Sequence, residues 1–200
     1  MRRRALPDSE ARKSGMDPKK KRDDRRVLRT REALLDAFFG LLLARPYEHI
    51  SVADIARRAG VGRSTLYEHF PGKAAILAAS LAGPFGVLAD TVNAPDNTRA
   101  LVGLLEHFWP NRALARSLFT SRMRRHSVAV LVRLIQERLR AARPRLTLIV
   151  PPRLAAIQLA EALFAPLTAW LTGEAECPAT HLARALRATC VALLGALRCG

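Results

Sequence analysis

Apolar residues recur at the spacing of amphipathic α-helices along most of the chain. In the first such segment, residues 25–43, they form one stripe with three- and four-residue steps. That stripe consists of Leu28, Leu34, Leu35, Phe38, Leu41 and Leu42. The same periodicity predicts helices over residues 52–59, 64–69, 73–92, 98–109, 112–119, 122–142, 153–171 and 179–197. Because glycine and proline residues separate these segments, we expect an all-α fold of about nine helices.

Prolines mark the main departures from this pattern. Pro46 ends the first helix, because the residue before a proline is pushed out of the helical region. Gly83-Pro84 interrupts the segment 73–92, where proline removes one helical hydrogen bond and kinks or ends the helix. The strand-like run at residues 146–150 is short and lies between prolines. It adds no sheet to the expected fold.

Residues 1–24 differ from the rest of the chain in having no periodicity. They are charged and polar and include Pro7, Gly15 and Pro18, while Met16 offers an alternative start. A segment of this composition buries too little apolar surface to fold by itself. We therefore expect a disordered basic arm over residues 1–24, then a three-helix unit at 25–73 and a larger helical domain at 74–200.

Residues 50–70 carry the most informative spacing. Ser51, three residues before Asp54, forms a capping pair that opens a short helix. Gly60 suits the left-handed backbone that ends this helix, and Leu66 anchors a second short helix. These intervals are typical of a helix-turn-helix, whose second helix enters the major groove of DNA. An ordinary αα-hairpin within a helical bundle is the alternative.

The residues in and after this motif have the pattern Asp54-Ile-Ala…Ala59-Gly-Val…Thr65-Leu-Tyr…His69-Phe…Lys73. In this pattern the chain resembles the TetR family of bacterial regulators, over residues 29–77. The resemblance implies a helix-turn-helix DNA-binding domain at 25–73 and a ligand-binding and dimerisation domain at 74–200. It also implies a sequence-specific transcriptional regulator, namely a repressor that a small-molecule effector releases from a palindromic operator.

The resemblance further implies a set of DNA-contacting residues on and around the second helix of the motif. These are Ser51, Gly62, Arg63, Ser64, Thr65, Tyr67, His69 and Lys73. Arg63 has a side chain that can bind guanine O6 and N7 together, and we expect Tyr67, His69 and Lys73 at phosphates. Packing of Tyr67 and a solvated helix end at His69 are the structural alternatives.

The motif departs from the family pattern at two positions. Gly62 stands where a serine is usual, which removes a helix-capping hydroxyl and a phosphate ligand. Glu68 places a carboxylate on the recognition helix, where it must point away from phosphates or accept a hydrogen bond from cytosine. The operator sequence is therefore left open.

Heptad-like stripes on the last two predicted helices are typical of helix–helix packing. The residues in question are Leu154, Ile157, Leu182, Leu186, Thr189 and Leu193. Two such helices from each subunit would form a four-helix dimer interface, with burial inside one subunit as the alternative. We expect a homodimer, because one helix-turn-helix reads few bases and two-fold symmetry matches a palindromic site in double-stranded DNA.

Larger side chains of the middle helices are candidates for the lining of an effector pocket. They are Phe85, Phe108, Trp109, Phe119, Met123 and Phe164, with Trp170, His107 and His126 as further contacts. An apolar or aromatic effector suits this lining, and ordinary core packing is the alternative. We expect Gly83-Pro84 to be the hinge through which the bound effector displaces the DNA-binding domain.

The formal net charge is +16, from 33 Lys and Arg against 17 Asp and Glu. Such a charge favours a polyanionic partner, although nearly all the cations are arginines, as a GC-rich coding bias would also produce. Residues 1–73 and residues 74–200 each carry +8. Because half the excess lies outside the motif, including the Arg-rich stretch 122–145, the case for DNA depends on the motif and not on the total charge.

Several functional classes are disfavoured. No apolar run approaches the ~18 residues of a membrane span, and three cysteines without a CxxC pair indicate neither a disulfide scaffold nor a zinc site. Recognisable catalytic motifs are missing, so we expect no enzyme, no metal and no cofactor. A bacterial cytoplasmic protein fits best. The alternatives are a low-specificity architectural DNA-binding protein and a small-molecule carrier with a vestigial DNA module.

Overall fold

The computed structural model describes residues 18–92, 96–142 and 146–199. Within these ranges the chain forms α1 (Pro18–Ala44), α2 (Val52–Arg58), α3 (Arg63–His69), α4 (Lys73–Ala89), α5 (Thr98–Phe108), α6 (Arg112–Phe119), α7 (Ser121–Ala141), α8 (Pro152–Thr172) and α9 (Ala179–Ala196). Short 3-10 helices lie at Tyr47–His49 and Asp90–Val92. The β pairing of the described residues is one isolated antiparallel bridge between Leu148 and Arg198. The all-α prediction is confirmed.

The first helix begins earlier than the hydrophobic pattern predicted. Helix α1 starts at Pro18, so the prediction of disorder is wrong for residues 18–24, while residues 1–17 lie outside the described part of the chain. Proline is favoured at the first helical position, and lysine and arginine are good helix formers. Extending a helix that the core has already nucleated costs much less than starting one. The charged segment is therefore helical because the amphipathic part of α1 nucleates it.

Helices α1 to α3 form the N-terminal module around a small core. Leu34 and Phe38 of α1, Ile55 of α2 and Leu66 of α3 are all fully buried, in a hydrophobic core that continues into the rest of the described chain. Complete burial of one such side chain contributes roughly 1.5–3 kcal/mol. This core orients the two short helices of the motif, which are too short to be stable alone.

Helices α4 to α9 form the helical body, in which α7 packs against α4, α6 and α8 while α9 packs against α5 and α8. Four phenylalanines lie at its centre. The ring centroid of Phe119 lies 5.9 Å from that of Phe85, 5.8 Å from Phe108 and 4.6 Å from Phe164. Edge-to-face and tilted contacts at these distances add to the burial of the rings. This aromatic cluster is the interior of the body.

Helix α4 joins the module to the body and continues through Pro84. Gly83-Pro84 therefore does not end the helix, although Pro84 has no N–H to donate to the carbonyl four residues earlier. Leu81, Phe85 and Leu88 are fully buried on both sides of the proline. Their burial outweighs the loss of one hydrogen bond, which is worth about 1 kcal/mol net.

Residues 73–92 and helix α8 are each long and apolar enough, by length and composition, to cross a membrane. Half of each segment is buried inside the protein. Both pack against α7 or its neighbours within the body, so core burial accounts for their apolar composition.

Candidate nucleic-acid interface and effector cavity

The first helix of the motif begins at a reciprocal cap. The Ser51 hydroxyl accepts a hydrogen bond from the Asp54 N–H at 3.1 Å, and the Asp54 carboxylate accepts one from the Ser51 N–H at 3.0 Å. These bonds, together with the weaker effect of the charges of Arg45 and Arg57, hold the pKa of Asp54 below its usual value. Arg45 lies 2.8 Å from the same carboxylate. The predicted capping pair is thus present and is tied to the end of α1.

The turn between α2 and α3 depends on one glycine. Gly60 has φ +69, and its N–H donates to the carbonyl of Arg57 at 3.2 Å while the N–H of Val61 donates to Ala56 at 3.0 Å. A left-handed residue closes the helix at little cost only when it lacks a Cβ. The backbone then becomes extended at Gly62, the cap of α3, which supplies no side-chain hydrogen bond.

Helix α3 is anchored by one face and exposed on the other. Leu66 is fully buried, whereas Gly62, Arg63, Ser64 and Tyr67 are exposed and lie at the start and along the outer face of the helix. Tyr67 keeps 55% of its surface accessible, so its ring is not packed in the core. Among the other residues that the sequence singled out around the motif, Ser51 and Glu68 are exposed, and Thr65, His69 and Lys73 are half-buried.

Two of the predicted DNA contacts have partners inside the module. The Ser51 hydroxyl serves the cap of α2, and it also donates to Asp54 at 2.7 Å. The Lys73 ammonium donates to the carbonyl of Tyr47 at 2.8 Å and lies 4.1 Å from the centre of its ring. Burial lowers the pKa of Lys73. Lys73 therefore ties the start of α4 to the α1–α2 connection.

Arg31 was missed by the sequence reasoning. Its guanidinium lies 4.3 Å from the centre of the Phe70 ring, and it donates to the carbonyl of His69 at 3.5 Å. The contact connects α1 to the end of α3 across 38 residues. Because the two ends are so far apart in the chain, the local residue pattern does not predict it. Arg58 was missed for the same reason: its side chain lies so close to Gly40 of α1 that a Cβ there would come within 2.5 Å of it.

The predicted aromatic pocket is dispersed in the structure. Phe85, Phe119 and Phe164 are fully buried and packed against one another, so they belong to the core. The ring centroids of Trp109 and Trp170 lie 4.8 Å apart, and both rings line a separate cavity of about 350 Å³. Met123 lines a third cavity. Of the predicted lining, Phe108 and His107 border the cavity with the most apolar lining. Ring size alone could not separate core from lining.

That apolar cavity has a volume of about 560 Å³ and lies between α1, α4, α5 and α6. Its lining is almost entirely apolar, and it consists of Phe39, Leu81, Gly83, Pro84, Val87, Ala100, Leu104, His107, Phe108, Asn111, Leu114, Ala115 and Leu118. Phe39 comes from the N-terminal module, and Pro84 from the helix that joins the module to the body. An occupant of this cavity would touch both.

The residues predicted for the dimer interface lie on two different surfaces. Leu182 and Leu186 are buried in the core of the body and Leu193 is half-buried, so the predicted stripe of α9 mainly faces inward. By contrast, Leu154 and Ile157 of α8 are 44% and 38% exposed, and Thr189 is also exposed. The heptad pattern identified a packing face of α9 correctly, but its partner is the same chain.

Helices α8 and α9 and the segment before α8 also carry exposed apolar residues. Ile149, Leu154, Ile157 and Val191 are all exposed, and the bridge between Leu148 and Arg198 brings the start of α8 to the end of α9. We call these four residues the α8–α9 apolar face. Single exposed apolar residues are ordinary, whereas several of them on neighbouring helices are candidates for an interaction surface.

A helix-turn-helix with an exposed second helix, carried on an all-helical body, is the architecture of a helix-turn-helix DNA-binding protein. Residues 34–80 match the family described as bacterial regulatory proteins, tetR family. Over these residues the chain is similar to the TetR family.

Two similar proteins illustrate the match. A segment of 64 residues is 42% identical to the uncharacterized HTH-type transcriptional regulator YxbF of Bacillus subtilis (strain 168), covering 32% of this chain and 17% of that protein. The chain therefore matches only about a sixth of the relative's length. The whole fold is similar to a TetR transcriptional regulator from Streptococcus agalactiae 2603V, with a TM-score of 0.54 and 23% identity over 86% of this chain and 98% of that one.

Proposed function

We propose that the protein is a cytoplasmic, sequence-specific DNA-binding regulator that reads bases with α3. The observation that carries this proposal is the division of α3 into a buried anchor, Leu66, and an exposed start at Gly62, Arg63 and Ser64. Side chains near the start of a recognition helix are those that reach base edges. Arg63 has no ion-pair partner among the described residues, so its guanidinium is available for guanine.

The active form is a homodimer that binds a palindromic operator. Helix α3 has seven residues and is only about 10 Å long, so one copy reads a short half-site. The α8–α9 apolar face is the surface that joins the two copies, and it lies on helices remote in sequence from the motif. Two-fold symmetry then places the half-sites one helical turn apart or a multiple of it.

An uncharged apolar effector releases the operator by filling the 560 Å³ cavity. Apart from His107, the lining carries no titratable side chain, so a charged ligand would lose its hydration without gaining a partner. The effector would press on Phe39 and Pro84 together. Release occurs only if the effector binds the state that is unable to bind DNA more tightly than the other. In this scheme the protein is a repressor.

Selection of bound duplexes from a random pool tests the DNA-binding proposal. We expect a palindrome, a selected duplex that binds at least ~10³-fold tighter than a scrambled one, and relaxed specificity in Arg63→Ala at one position per half-site. Arg133→Ala, which removes an exposed arginine from α7, is the control. Equal affinity for both duplexes would instead indicate an architectural protein, and the absence of duplex binding would indicate a carrier.

The structure changes which variant tests phosphate binding. Lys73→Ala would remove the bond to Tyr47 as well as any phosphate contact, so its effect on DNA would be mixed with an effect on folding. Tyr67→Phe is a cleaner variant, because Tyr67 is exposed and loses only its hydroxyl. We expect it to weaken selected and scrambled duplexes alike.

A neutral fluorescent probe, N-phenyl-1-naphthylamine, tests the effector cavity. Ala100→Trp places a large ring at the lining of the cavity, where Ala100 is exposed, and should abolish both probe binding and any probe-induced loss of the operator complex. Ala113→Trp, on an exposed position of α6 outside the lining, should leave both unchanged. Equal probe binding by the two variants would contradict the assignment.

The α8–α9 apolar face is tested by a single charge. Val191→Arg should convert a dimer into a monomer in light-scattering measurements, because burying one arginine without a partner in an apolar interface is strongly unfavourable. Ala129→Arg, at an exposed position of α7, is the control and should remain a dimer. A dimeric Val191→Arg protein would place the interface elsewhere.

A further inference from the structure

The beginning of α1 projects beyond the core of the N-terminal module. From Asp24 to Arg29 every residue is exposed, including Val27 at 47% and Leu28 at 57%. The first fully buried side chain of α1 is Leu34 among the residues whose side chains are described. We call the helical segment 18–30 the α1 extension. Packing of residues 24–29 does not explain why this segment is helical.

The α1 extension carries a charge that disfavours an isolated helix. Eight of the thirteen residues from 19 to 31 are lysine or arginine, and no acidic residue occupies the first turn. The start of a helix bears the positive end of its dipole, so cations there are unfavourable. Arg25 and Arg29 also form a like-charge pair at four-residue spacing, which costs a few tenths of a kcal/mol. A bound polyanion would offset both the cations at the helix start and the repulsion between Arg25 and Arg29.

The anchor of this extension lies at the end of the recognition helix. Arg31 stacks on Phe70 at 4.3 Å and donates to the carbonyl of His69 at 3.5 Å, and these two residues end α3. At 1.5 Å per helical residue, Arg25 to Arg29 lie about 3–9 Å further along the α1 axis. The exposed arginines therefore lie within about two turns of the contact between α1 and the end of α3, on the face of α1 that points away from Arg31.

We propose that Arg25, Arg26 and Arg29 bind the phosphate backbone flanking the half-site that α3 reads. The proposal rests on the proposed DNA-binding function and adds to it a second, sequence-independent contact. All three side chains are exposed, and none has an ion-pair partner among the described residues. Phosphates are ligands of matching charge, and backbone contacts of this kind fix register without reading sequence.

The test compares two variants with the same change in net charge. One replaces Arg25, Arg26 and Arg29 by alanine. The control replaces the exposed Arg99, Arg133 and Arg140 of the helical body by alanine. Alanine is the best helix former, so α1 should stay helical, which circular dichroism of the full chain checks. Affinity for a scrambled duplex and for the selected duplex is measured between about 50 and 200 mM KCl, the range in which phosphate contacts dominate the salt dependence.

The α1 variant should reduce the slope of log affinity against log salt by about 0.9 per phosphate contact, hence up to about 2.7 for three. The loss should be equal on both duplexes, so that the specificity ratio is unchanged. The control triple should keep the wild-type slope.

Three results would overturn the proposal, and they differ from one another. If both triples change the slope equally, the effect is one of net charge and the DNA-binding function stands. If the loss is confined to the selected duplex, the arginines read bases. If the wild-type chain binds neither duplex, the proposed function fails together with this inference.

Discussion

The helix-turn-helix motif of the N-terminal module and the helical body differ in how far apart along the chain their decisive contacts lie. In the module the cap of α2 joins Ser51 and Asp54, three residues apart, and the turn is closed within residues 56–61. In the body, the ion pair of Arg138 with Asp90 spans 48 residues, and the bond from Arg116 to Leu171 spans 55. Short-range contacts leave a trace in local spacing, whereas long-range contacts do not.

The two regions also use their surfaces differently. The module buries apolar side chains of α1, α2 and α3 and exposes polar side chains on α3, so its proposed function lies on the outside. The body buries a cluster of four phenylalanines and leaves an apolar cavity beside them, so its proposed function lies inside. A polar surface residue can be recognised by type, but an apolar residue in a cavity has the same type as its neighbours in the core.

The largest expected effect tests whether the aromatic cluster is core or ligand site. Phe119→Ala should cost about 3–5 kcal/mol of unfolding free energy, because it leaves a cavity among three other phenylalanines. Urea denaturation measures this loss. Leu43→Ala, at a side chain that is 62% exposed, should change stability by less than about 0.5 kcal/mol. Unchanged stability with altered probe binding in Phe119→Ala would restore the pocket predicted from the sequence.

Replacement of glycine by alanine should change the unfolding free energy in opposite directions in the two regions. Gly60→Ala should destabilise by about 1–2 kcal/mol, because its φ of +69 is strained for alanine. Gly103→Ala, within α5 and with open space where the methyl group would lie, should stabilise by about 0.5–1 kcal/mol. Thermal or urea unfolding of the two proteins compares them directly. If both variants changed the unfolding free energy in the same direction, the turn at Gly60 would not be held in the left-handed conformation.

Acid should weaken the module through Asp54. Because its pKa is lower in the folded than in the unfolded chain, the unfolded state binds more protons as pH falls. The contribution is complete above the ordinary pKa of an aspartate, about 4, and is lost as pH falls through the lowered value. Ser51→Ala removes the main cause of that shift and should flatten the dependence of unfolding free energy on pH in this window. Arg57→Ala should flatten it less.

The smallest expected effect concerns the cap of α3. Gly62→Ser offers a side-chain oxygen to the free N–H groups at the start of the helix, and serine exceeds glycine as a cap by only a few tenths of a kcal/mol. Because the gain is local, it should appear in the unfolding midpoint of the chain without changing the denaturant dependence. A loss of stability would indicate that Gly62 is required for close approach at this turn.

The sequence predicted most of the fold and the local form of the motif. Helix α6 has the predicted bounds, the other helices agree at their ends within a few residues apart from α1, and the capping pair and glycine turn are present. These features depend on periodicity and on residues a few positions apart. The failures are of another kind. Helix α1 begins as early as Pro18 because its buried part nucleates a charged extension. Helix α4 continues through Pro84 because the burial of its flanking residues outweighs one lost hydrogen bond.

The candidate sites were predicted unevenly for the same reason. Arg63 and Tyr67 are exposed on α3 as the motif implies, but whether they contact DNA stays a prediction. Phe119 and Phe164 were expected in a pocket and lie in the core, while Leu182 and Leu186 were expected between subunits and lie within one. An amphipathic stripe shows that a face is buried. It does not show what buries it.

The sequence by itself determined the helices, the capped and glycine-closed turn of the motif, and the residue types that α3 presents. Each of these depends on backbone chemistry and on neighbours within one or two turns. Only the tertiary structure decided which apolar faces meet, where the cavity lies beside Phe39 and Pro84, and that Arg31 anchors the α1 extension to the end of α3. Those contacts join residues distant in the chain, and apolar packing, which is not directional, leaves no record of its partner in local spacing.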